Sequence, residues 1–227
     1  MQIQRFIFGP FETNTYVITI NDQLVLLIDP ACSNAHEQQQ LLDYINSLPL
    51  REGSGLGSLT ILATHGHLDH LWGAKWATDL WHVPVLMHEA DIPMAKAMQT
   101  QYDLFGIRAT PQPFPIESLS AALPQSVSNA VCQCNGLTLF FPPSWGERGG
   151  LLPTPGHTPG SVCLYWPEEK IFLSGDTLFH MGYGRTDLPG GDTSQLIASL
   201  HRLASLPPDT RVFPGHGDFT TIGNELR

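Results

Sequence analysis

Three histidines and one aspartate stand within six consecutive positions of the segment THGHLDH, as His65, His67, Asp69 and His70. Neutral imidazole and carboxylate groups are good ligands for zinc and for other first-row metal ions. Burying several imidazoles and a carboxylate together is costly unless a partner ion compensates for their lost hydration. This spacing therefore predicts a metal site in preference to a set of unrelated structural side chains.

Four later segments carry similar polar residues inside turns that are marked by glycine or proline. These segments are TPGHTPGS, FLSGDTLF, GYGRTDLPGGD and FPGHGD, and their polar residues of interest are His157, Asp176, Arg185, Asp187, Asp192 and His216. Active-site groups of layered α/β folds often lie in such turns at strand ends. One tetrahedral zinc ion takes about four ligands, so the four residues of THGHLDH with His157, Asp176 and His216, seven in all, suit two ions ~3.5–4 Å apart with a bridging carboxylate and hydroxide.

The segments that must position these residues alternate between strand and helix character. The first predicted strands are RFIF, TYVITI, QLVLLIDP and SLTILAT, and the last of them delivers His65. Residues 34–48 and the segment LWGAKWATDLW have apolar residues at helical spacing, and PVLMHEAD is a further predicted strand. This βαβ alternation predicts layered α/β structure.

Residues 92–124 interrupt that pattern. IPMAKAMQTQYDLF is predicted to be helical, whereas ATPQPFPIESLSAALPQ is rich in proline and irregular. Long connections of this kind often act as lids or contact a substrate, so we expect a lid-like insertion here. Strands then resume in LTLFF, GLLPTPG, SVCLYWP, KIFLSGD and TRVFPGHG, with one amphipathic helix in TSQLIASLHRLASL. No convincing linker divides the chain, so residues 1–227 are predicted to form a single domain.

Composition limits the classes of function. The 227 residues include 14% charged residues and carry a formal net charge of -10, which argues against a broad nucleic-acid-binding surface. No stretch approaches the ~18 apolar residues that span a membrane, and MQIQRFIFGPF reads as a first strand. The cysteines show no disulfide framework, although Cys132 and Cys134 are a weak candidate metal pair, so a cytoplasmic location is expected. The histidines elsewhere are expected to be structural, namely His36, His82, His88, His180 and His201.

The motifs THGHLDH, TPGHTPGS, SGDTLF and PGHG, in this order, resemble those of the metallo-β-lactamase superfamily. This resemblance implies a four-layer αββα sandwich, in which two mixed β-sheets pack face to face with helices outside. It also implies one ion at His65, His67 and His157, a second ion at Asp69, His70 and His216, and a bridging Asp176. Two divalent ions are implied, with zinc as the first expectation and iron or manganese as alternatives.

The segment GYGRTDLPGGD is similar to one in the glyoxalase II-like group of hydrolases. In true glyoxalase II, a lysine that helps to hold glutathione stands at the position of Arg185. The resemblance thus implies hydrolysis of a small-molecule thioester, or a related acyl bond, by a metal-bridging hydroxide. Asp69 would orient that hydroxide, and Arg185 could bind a substrate carboxylate with its planar fork. A structural ion pair of Arg185 with Asp187 or Asp192 is an equal alternative.

Other functions share this scaffold. The main alternative is a persulfide dioxygenase with a single Fe(II) at His65, His157 and Asp176, because two histidines and one carboxylate suit that ion. A lactonase is a second alternative, and a nuclease is disfavoured by the acidic charge. A metal-binding protein without activity is disfavoured because all seven implied ligand residues are present. The sequence leaves the oligomeric state open.

Overall fold

The computed structural model describes residues 1–21, 24–48, 59–119, 131–134, 137–140 and 150–227. These residues form two compact units. Unit 1 comprises Met1–Met87 and Ile92–Ser118, and unit 2 comprises His88–Asp91 and Leu119–Arg227. That the whole chain acts as one domain stays a prediction.

Unit 1 is built on a six-stranded mixed sheet in which the strand order follows the chain. Its strands are β1 (Gln2–Phe8), β2 (Thr13–Asn21), β3 (Leu24–Ile28), β4 (Leu59–Leu62), β5 (Val85–Met87) and β6 (Ile116–Ser118). Its helices are α1 (Ala35–Ser47), α2 (Ala74–Trp81), α3 (Ile92–Lys96) and α4 (Met98–Leu104). The first three strands pair antiparallel, and β3 to β6 pair parallel.

The parallel pairing of β3 and β4 determines where the polar residues of unit 1 lie. All five residues of β3 are buried, as expected for a parallel strand that is covered on both faces. Ile28 at the end of β3 is in register with Leu62 at the end of β4. The residues that follow these two strands therefore emerge together at one edge of the sheet, because the carboxyl ends of parallel strands coincide.

The region predicted as a lid-like insertion contains more regular structure than expected. The predicted helix is broken at Ala97, whose φ of -89° and ψ of 32° separate α3 from α4. The proline-rich part supplies the edge strand β6, which pairs parallel with β5. Both Met98 and Tyr102 of α4 are buried in the core of unit 1. Residues 120–124 lie outside the described structure, and a lid function stays a prediction.

Unit 2 is built on a seven-stranded mixed sheet with the order β15-β14-β11-β10-β9-β8-β7. Its strands are β7 (Val131–Cys134), β8 (Leu137–Phe140), β9 (Gly150–Pro153), β10 (Val162–Trp166), β11 (Ile171–Gly175), β14 (Arg211–Pro214) and β15 (Thr220–Thr221). The short strands β12 (Leu178–Phe179) and β13 (Gly182–Tyr183) pair separately. Its helices are α5 (Thr193–Leu203) and α6 (Ile222–Glu225).

Most predicted elements are present with shorter bounds. PVLMHEAD was predicted to be one strand, but β5 ends at Met87 because His88–Asp91 form a turn closed by the Asp91 N–H and the His88 carbonyl. Residues 22–23, 49–58 and 141–149 lie outside the described structure. Among the described helices, none has the length and apolar character needed to cross a bilayer.

We expect Cys32 and Cys163 to resist alkylation in the folded protein. Both are buried free thiols, and burial raises the pKa of Cys32 to about 12 and that of Cys163 to about 11. Because the thiolate is the nucleophile, their labelling by iodoacetamide at pH ~8 should be at least about a hundredfold slower than in urea. Peptide mass spectrometry resolves each site, and equal rates in the two conditions would contradict the burial. The side chains of Cys132 and Cys134 lie outside the described structure.

Candidate metal centre

Unit 1 presents its polar cluster just beyond the end of β4. Of the four predicted ligands, His65, His67 and His70 are buried, whereas the Asp69 side chain is 17% exposed. The Nε2 atom of His65 lies 3.1 Å from Nδ1 of His67. Nε2 of His70 lies 3.4 Å from Oδ2 of Asp69, which also accepts a hydrogen bond of 3.0 Å from the Thr13 hydroxyl. Unit 1 thus brings all four together.

A buried aspartate that the sequence did not single out orients two of these histidines. Asp29 follows β3, and its Oδ2 accepts a hydrogen bond of 2.9 Å from Nδ1 of His70 and one of 2.7 Å from the Thr64 hydroxyl. Because the Thr64 hydroxyl donates its proton to Asp29, it accepts a hydrogen bond of 3.1 Å from Nδ1 of His65. Both rings are thereby held as Nδ1–H tautomers, which gives Nε2 the lone pair that a metal ion needs.

The backbone at Asp29 is adapted to this role. Its φ of 52° is in the left-handed region, which aspartate, asparagine and glycine tolerate best. The Thr64 N–H donates to Oδ1 of Asp29 at 2.7 Å, and the Asp29 carbonyl accepts from the Thr15 hydroxyl at 2.6 Å. The sequence signal was present as an aspartate that ends the otherwise apolar strand VLLID. It was missed because only the parallel register brings residue 29 to residue 64.

Unit 2 brings together the other three predicted ligands. His157 follows β9, Asp176 follows β11, and His216 follows β14. Oδ2 of Asp176 lies 3.5 Å from Nε2 of His157 and 3.5 Å from Nε2 of His216. Nδ1 of His157 donates a hydrogen bond of 2.7 Å to the carbonyl oxygen of Arg185. This bond fixes His157 as the Nδ1–H tautomer, as for the two histidines of unit 1. The aspartate thus lies between two histidine rings, as its predicted bridging position requires.

The loop that carries His157 is anchored by a second buried aspartate that the sequence did not reveal. Oδ2 of Asp91 accepts from the Thr158 hydroxyl at 2.6 Å, and Oδ1 accepts from the Gly160 N–H at 2.6 Å. A Cβ at Gly160 would lie 2.7 Å from the Asp91 carboxylate, so this contact needs glycine. The turn TPGHTPGS therefore holds its shape around a carboxylate.

We expect Gly184→Ala to disturb the cluster of unit 2. A Cβ at this position would lie 1.9 Å from the carbonyl oxygen of Asp176 and 3.0 Å from Nδ1 of His157. The forced shift should lower the free energy of unfolding by about 1–3 kcal/mol, as overpacking does, which urea unfolding measures. Gly182→Ala is the matched control, because, among the residues that the structure describes, nothing beyond its chain neighbours lies within 4 Å of its added Cβ. Equal stability of the two variants would contradict the crowding at Gly184.

Arg185 has a defined partner in unit 2. Its Nε and Nη2 donate to the two carboxylate oxygens of Asp187 at 2.6 and 2.7 Å. This pair lowers the pKa of Asp187 to about 2, although both side chains are more than half exposed. Asp192 instead caps helix α5 by accepting from the Gln195 N–H. The expected ion pair of Arg185 is thus present, and substrate binding by Arg185 stays a prediction.

Some histidines outside the clusters have ordinary surface contacts. His36 is within hydrogen-bonding distance of Gln40, and Nδ1 of His88 accepts from the Ala90 N–H. His180 pairs with Glu225 at 3.1 Å. That these three histidines are structural stays a prediction.

The distances inside each unit fit metal coordination. Each of the seven predicted ligands has its ligand atom close to that of another histidine or aspartate, an arrangement that could hold a metal ion. Ligand atoms ~2.0–2.2 Å from a tetrahedral zinc ion lie about 3.3–3.6 Å from one another. Three of the observed separations, 3.4 to 3.5 Å, fall in this range, and the His65–His67 separation of 3.1 Å is slightly shorter. The residues present therefore fit a metal ion by both chemistry and spacing.

Comparison with known proteins agrees with this chemistry. A model of the metallo-β-lactamase superfamily matches residues 8–119 and 146–216. The chain therefore belongs to the metallo-β-lactamase superfamily. The expected α/β fold of this superfamily, with two mixed sheets and helices, is confirmed.

Individual relatives are similar over almost their whole lengths. The chain is 32% identical to a probable metallo-hydrolase, YqgX of Bacillus subtilis, covering 99% of this chain and 94% of that protein. It is 31% identical to the hydroxyacylglutathione hydrolase GloC of Haemophilus influenzae, covering 100% and 96%. The crystal structure of TTHA1623 in a di-iron-bound form has a TM-score of 0.74 and 32% identity, covering 97% and 96%. These relatives support a metal-dependent hydrolase as the broad class of this protein.

Proposed function

We propose that this protein hydrolyses thioesters of the hydroxyacylglutathione type, and that its seven predicted ligands hold two divalent ions. Zinc is the first choice of metal, with iron or manganese as alternatives. The observation that carries the proposal is the shared design of the two clusters. In each cluster, a hydrogen bond from Nδ1 orients a histidine ring so that its Nε2 faces Oδ2 of an aspartate. The pairs are His70 with Asp69 and His157 with Asp176.

The relatives support the choice of reaction. GloC of Haemophilus influenzae is named as a hydroxyacylglutathione hydrolase and matches this chain from end to end. When bound, the two ions would lower the pKa of a water molecule to near ~7 and polarise the acyl carbonyl. The remaining steps fall to side chains of this protein.

Asp69 would orient the attacking water. The hydrogen bond from Thr13 holds its Oδ2, and its partial exposure leaves the carboxylate accessible to small molecules. A carboxylate accepts hydrogen bonds only, so it can point one proton of the water toward itself and the oxygen lone pair toward the substrate. Positioning of this kind contributes by fixing the geometry of attack before the reaction begins.

Arg185 would bind a carboxylate of the glutathione portion in place of its present partner, Asp187. The guanidinium already binds one carboxylate through two hydrogen bonds, and a substrate carboxylate offers the same two acceptors. An exposed ion pair contributes little free energy, so Asp187 would yield its place at small cost.

The test of the proposal combines metal analysis with a substrate panel. Elemental analysis of the purified protein should give two divalent ions per chain, and S-lactoylglutathione should be hydrolysed faster than simple lactones. Two bound ions without hydrolysis of any thioester would overturn the proposed reaction. Oxygen uptake by the iron-loaded protein with glutathione persulfide would instead favour the mononuclear Fe(II) dioxygenase.

We expect Arg185→Met to affect only substrates that carry a carboxylate near the thioester. Because an exposed ion pair contributes up to about 1 kcal/mol, its loss should raise KM for S-lactoylglutathione by about fivefold. S-lactoyl-N-acetylcysteamine has no carboxylate, so its kcat/KM should stay within about twofold of the original value. Steady-state kinetics with both substrates measure this difference, and an unchanged KM for S-lactoylglutathione would contradict the role of Arg185.

We place this reaction in the cytoplasm, where glutathione thioesters occur and thiols stay reduced. The two buried free cysteines, Cys32 and Cys163, are compatible with such a compartment. Localising a fluorescent fusion of the full chain in cells would test this placement.

A further inference from the structure

The side chain of Gln101 joins helix α4 to the loop that presents the ligands of unit 1. Its Oε1 accepts a hydrogen bond of 2.9 Å from the Leu68 N–H. Its Nε2 donates to the carbonyl oxygens of Gly66 at 3.0 Å and Met94 at 3.2 Å. One partly buried amide thus uses both of its ends on backbone groups.

The Gly66 carbonyl and the Leu68 N–H, which Gln101 binds, lie between the predicted metal ligands of unit 1. Gly66 and Leu68 are the spacers that alternate with His65, His67 and Asp69. Leu68 is also the first residue of the 3₁₀-helix Leu68–His70, which no side chain of its own N-cap residue, His67, caps. Helix N-termini leave N–H groups without partners inside the helix. Gln101 satisfies the Leu68 N–H in the place of a local cap.

A neighbouring glutamine shows that this arrangement is specific to position 101. Gln99 lies on the same helix, is exposed, and donates to Asp103 four residues later on the helix surface. Bonds of that kind stabilise the helix itself. The bonds of Gln101 instead reach back 33 and 35 residues along the chain.

We propose that Gln101 is a positioning residue of the metal centre, which fixes the backbone of residues 66–68 so that the flanking side chains face their ion. The proposal rests on the proposed metal-dependent function. Because the direction of a side chain follows from its backbone, a rotated peptide at Gly66 or Leu68 would turn His67 and Asp69 away. The proposal thus gives helix α4 a role at the metal centre that is separate from the predicted lid function.

Two variants and one control separate positioning from general stability. Gln101→Leu removes all three hydrogen bonds at similar volume. Gln101→Glu keeps the acceptor for the Leu68 N–H and removes both donors. Gln99→Leu is the control, because it makes the same chemical change at an exposed position of the same helix. The metal dissociation constant is measured for each folded, metal-free protein by competition with a chromophoric chelator, using zinc alone.

We expect Gln101→Leu to weaken zinc binding by about 10–100-fold, the usual effect of losing a group that orients metal ligands. Gln101→Glu should weaken it measurably but less, and Gln99→Leu should stay within about twofold of the unaltered protein. Unaltered zinc affinity in folded Gln101→Leu would overturn the proposal, even if the unfolding temperature fell. If Gln101→Leu does not fold, unaltered affinity in Gln101→Glu overturns it equally.

The outcomes also distinguish this inference from the proposed function. An unaltered protein that binds none of zinc, iron and manganese refutes both the two-ion centre and the role of Gln101. An unaltered protein that binds zinc but hydrolyses no thioester refutes the reaction alone, and the affinities of the variants still decide the role of Gln101.

Discussion

Replacing Asp176 by asparagine is expected to reduce thioester hydrolysis by about a thousandfold, as loss of one electrostatic group at a reacting centre commonly does. The carboxylate Oδ2 lies 3.5 Å from the ring nitrogens of both His157 and His216. Asparagine keeps the shape but removes the negative charge that would bind both ions. The kcat/KM for S-lactoylglutathione and the metal content per chain measure the effect, and metal content should fall from two ions towards one.

Asp209→Asn provides the matched control for this experiment. It makes the same chemical change at an exposed carboxylate of unit 2 that pairs with Lys170 on the surface. Surface pairs of this kind contribute little, so activity and metal content should be unchanged. Full activity of Asp176→Asn with two ions bound would contradict the bridging position of Asp176.

Substitutions of Asp29 are expected to produce the largest loss of stability in unit 1. Asp29→Ala leaves the Thr64 N–H, the Thr64 hydroxyl and Nδ1 of His70 without their buried acceptor. Loss of a buried charged partner should lower the free energy of unfolding by about 3–5 kcal/mol, which urea titration of the metal-free protein measures. Asp43→Ala on the exposed side of α1 is the control, and equal losses in the two variants would show that Asp29 has no special role.

Asp29→Asn separates orientation from backbone conformation. Asparagine tolerates the positive φ of this residue, so the chain path is retained. Its amide keeps only one acceptor atom where the carboxylate has two, and it carries no charge. We expect zinc affinity to fall by about 10–100-fold with a smaller loss of stability than in Asp29→Ala. Unchanged affinity would argue that Asp29 acts on folding alone.

The local signals in the sequence were sufficient for most elements of the fold. The segments that form β3 and β11 are mainly apolar, which predicts strands. The segment that forms α5 has apolar residues at helical spacing, which predicts a helix. Elements that depend on distant pairing were missed. Strand β6 has only three residues in a proline-rich segment and forms because β5 lies beside it.

The candidate site divides in the same way. The seven expected ligands are visible in the sequence because histidine and aspartate recur in glycine-marked turns. The groups that orient them are not visible there, because Asp29, Asp91 and Gln101 act on loops that lie 33 to 69 residues away in the chain. A lone aspartate or glutamine carries no pattern of its own. Their roles follow only from the register of the sheet and the packing of α4.

The hydrogen bonds of Asp29 also bear on the order of folding. His65 and His70 are near neighbours in any conformation of the chain, but their ring orientation depends on contacts of Asp29 with Thr64 and His70 that close loops of 35 and 41 residues. Parallel pairing such as that of β3 with β4 forms slowly, because loop entropy is lost before the contacts form. The unfolded chain would therefore hold a metal ion only loosely, and an ion that binds the folded centre would stabilise the native state over the unfolded one.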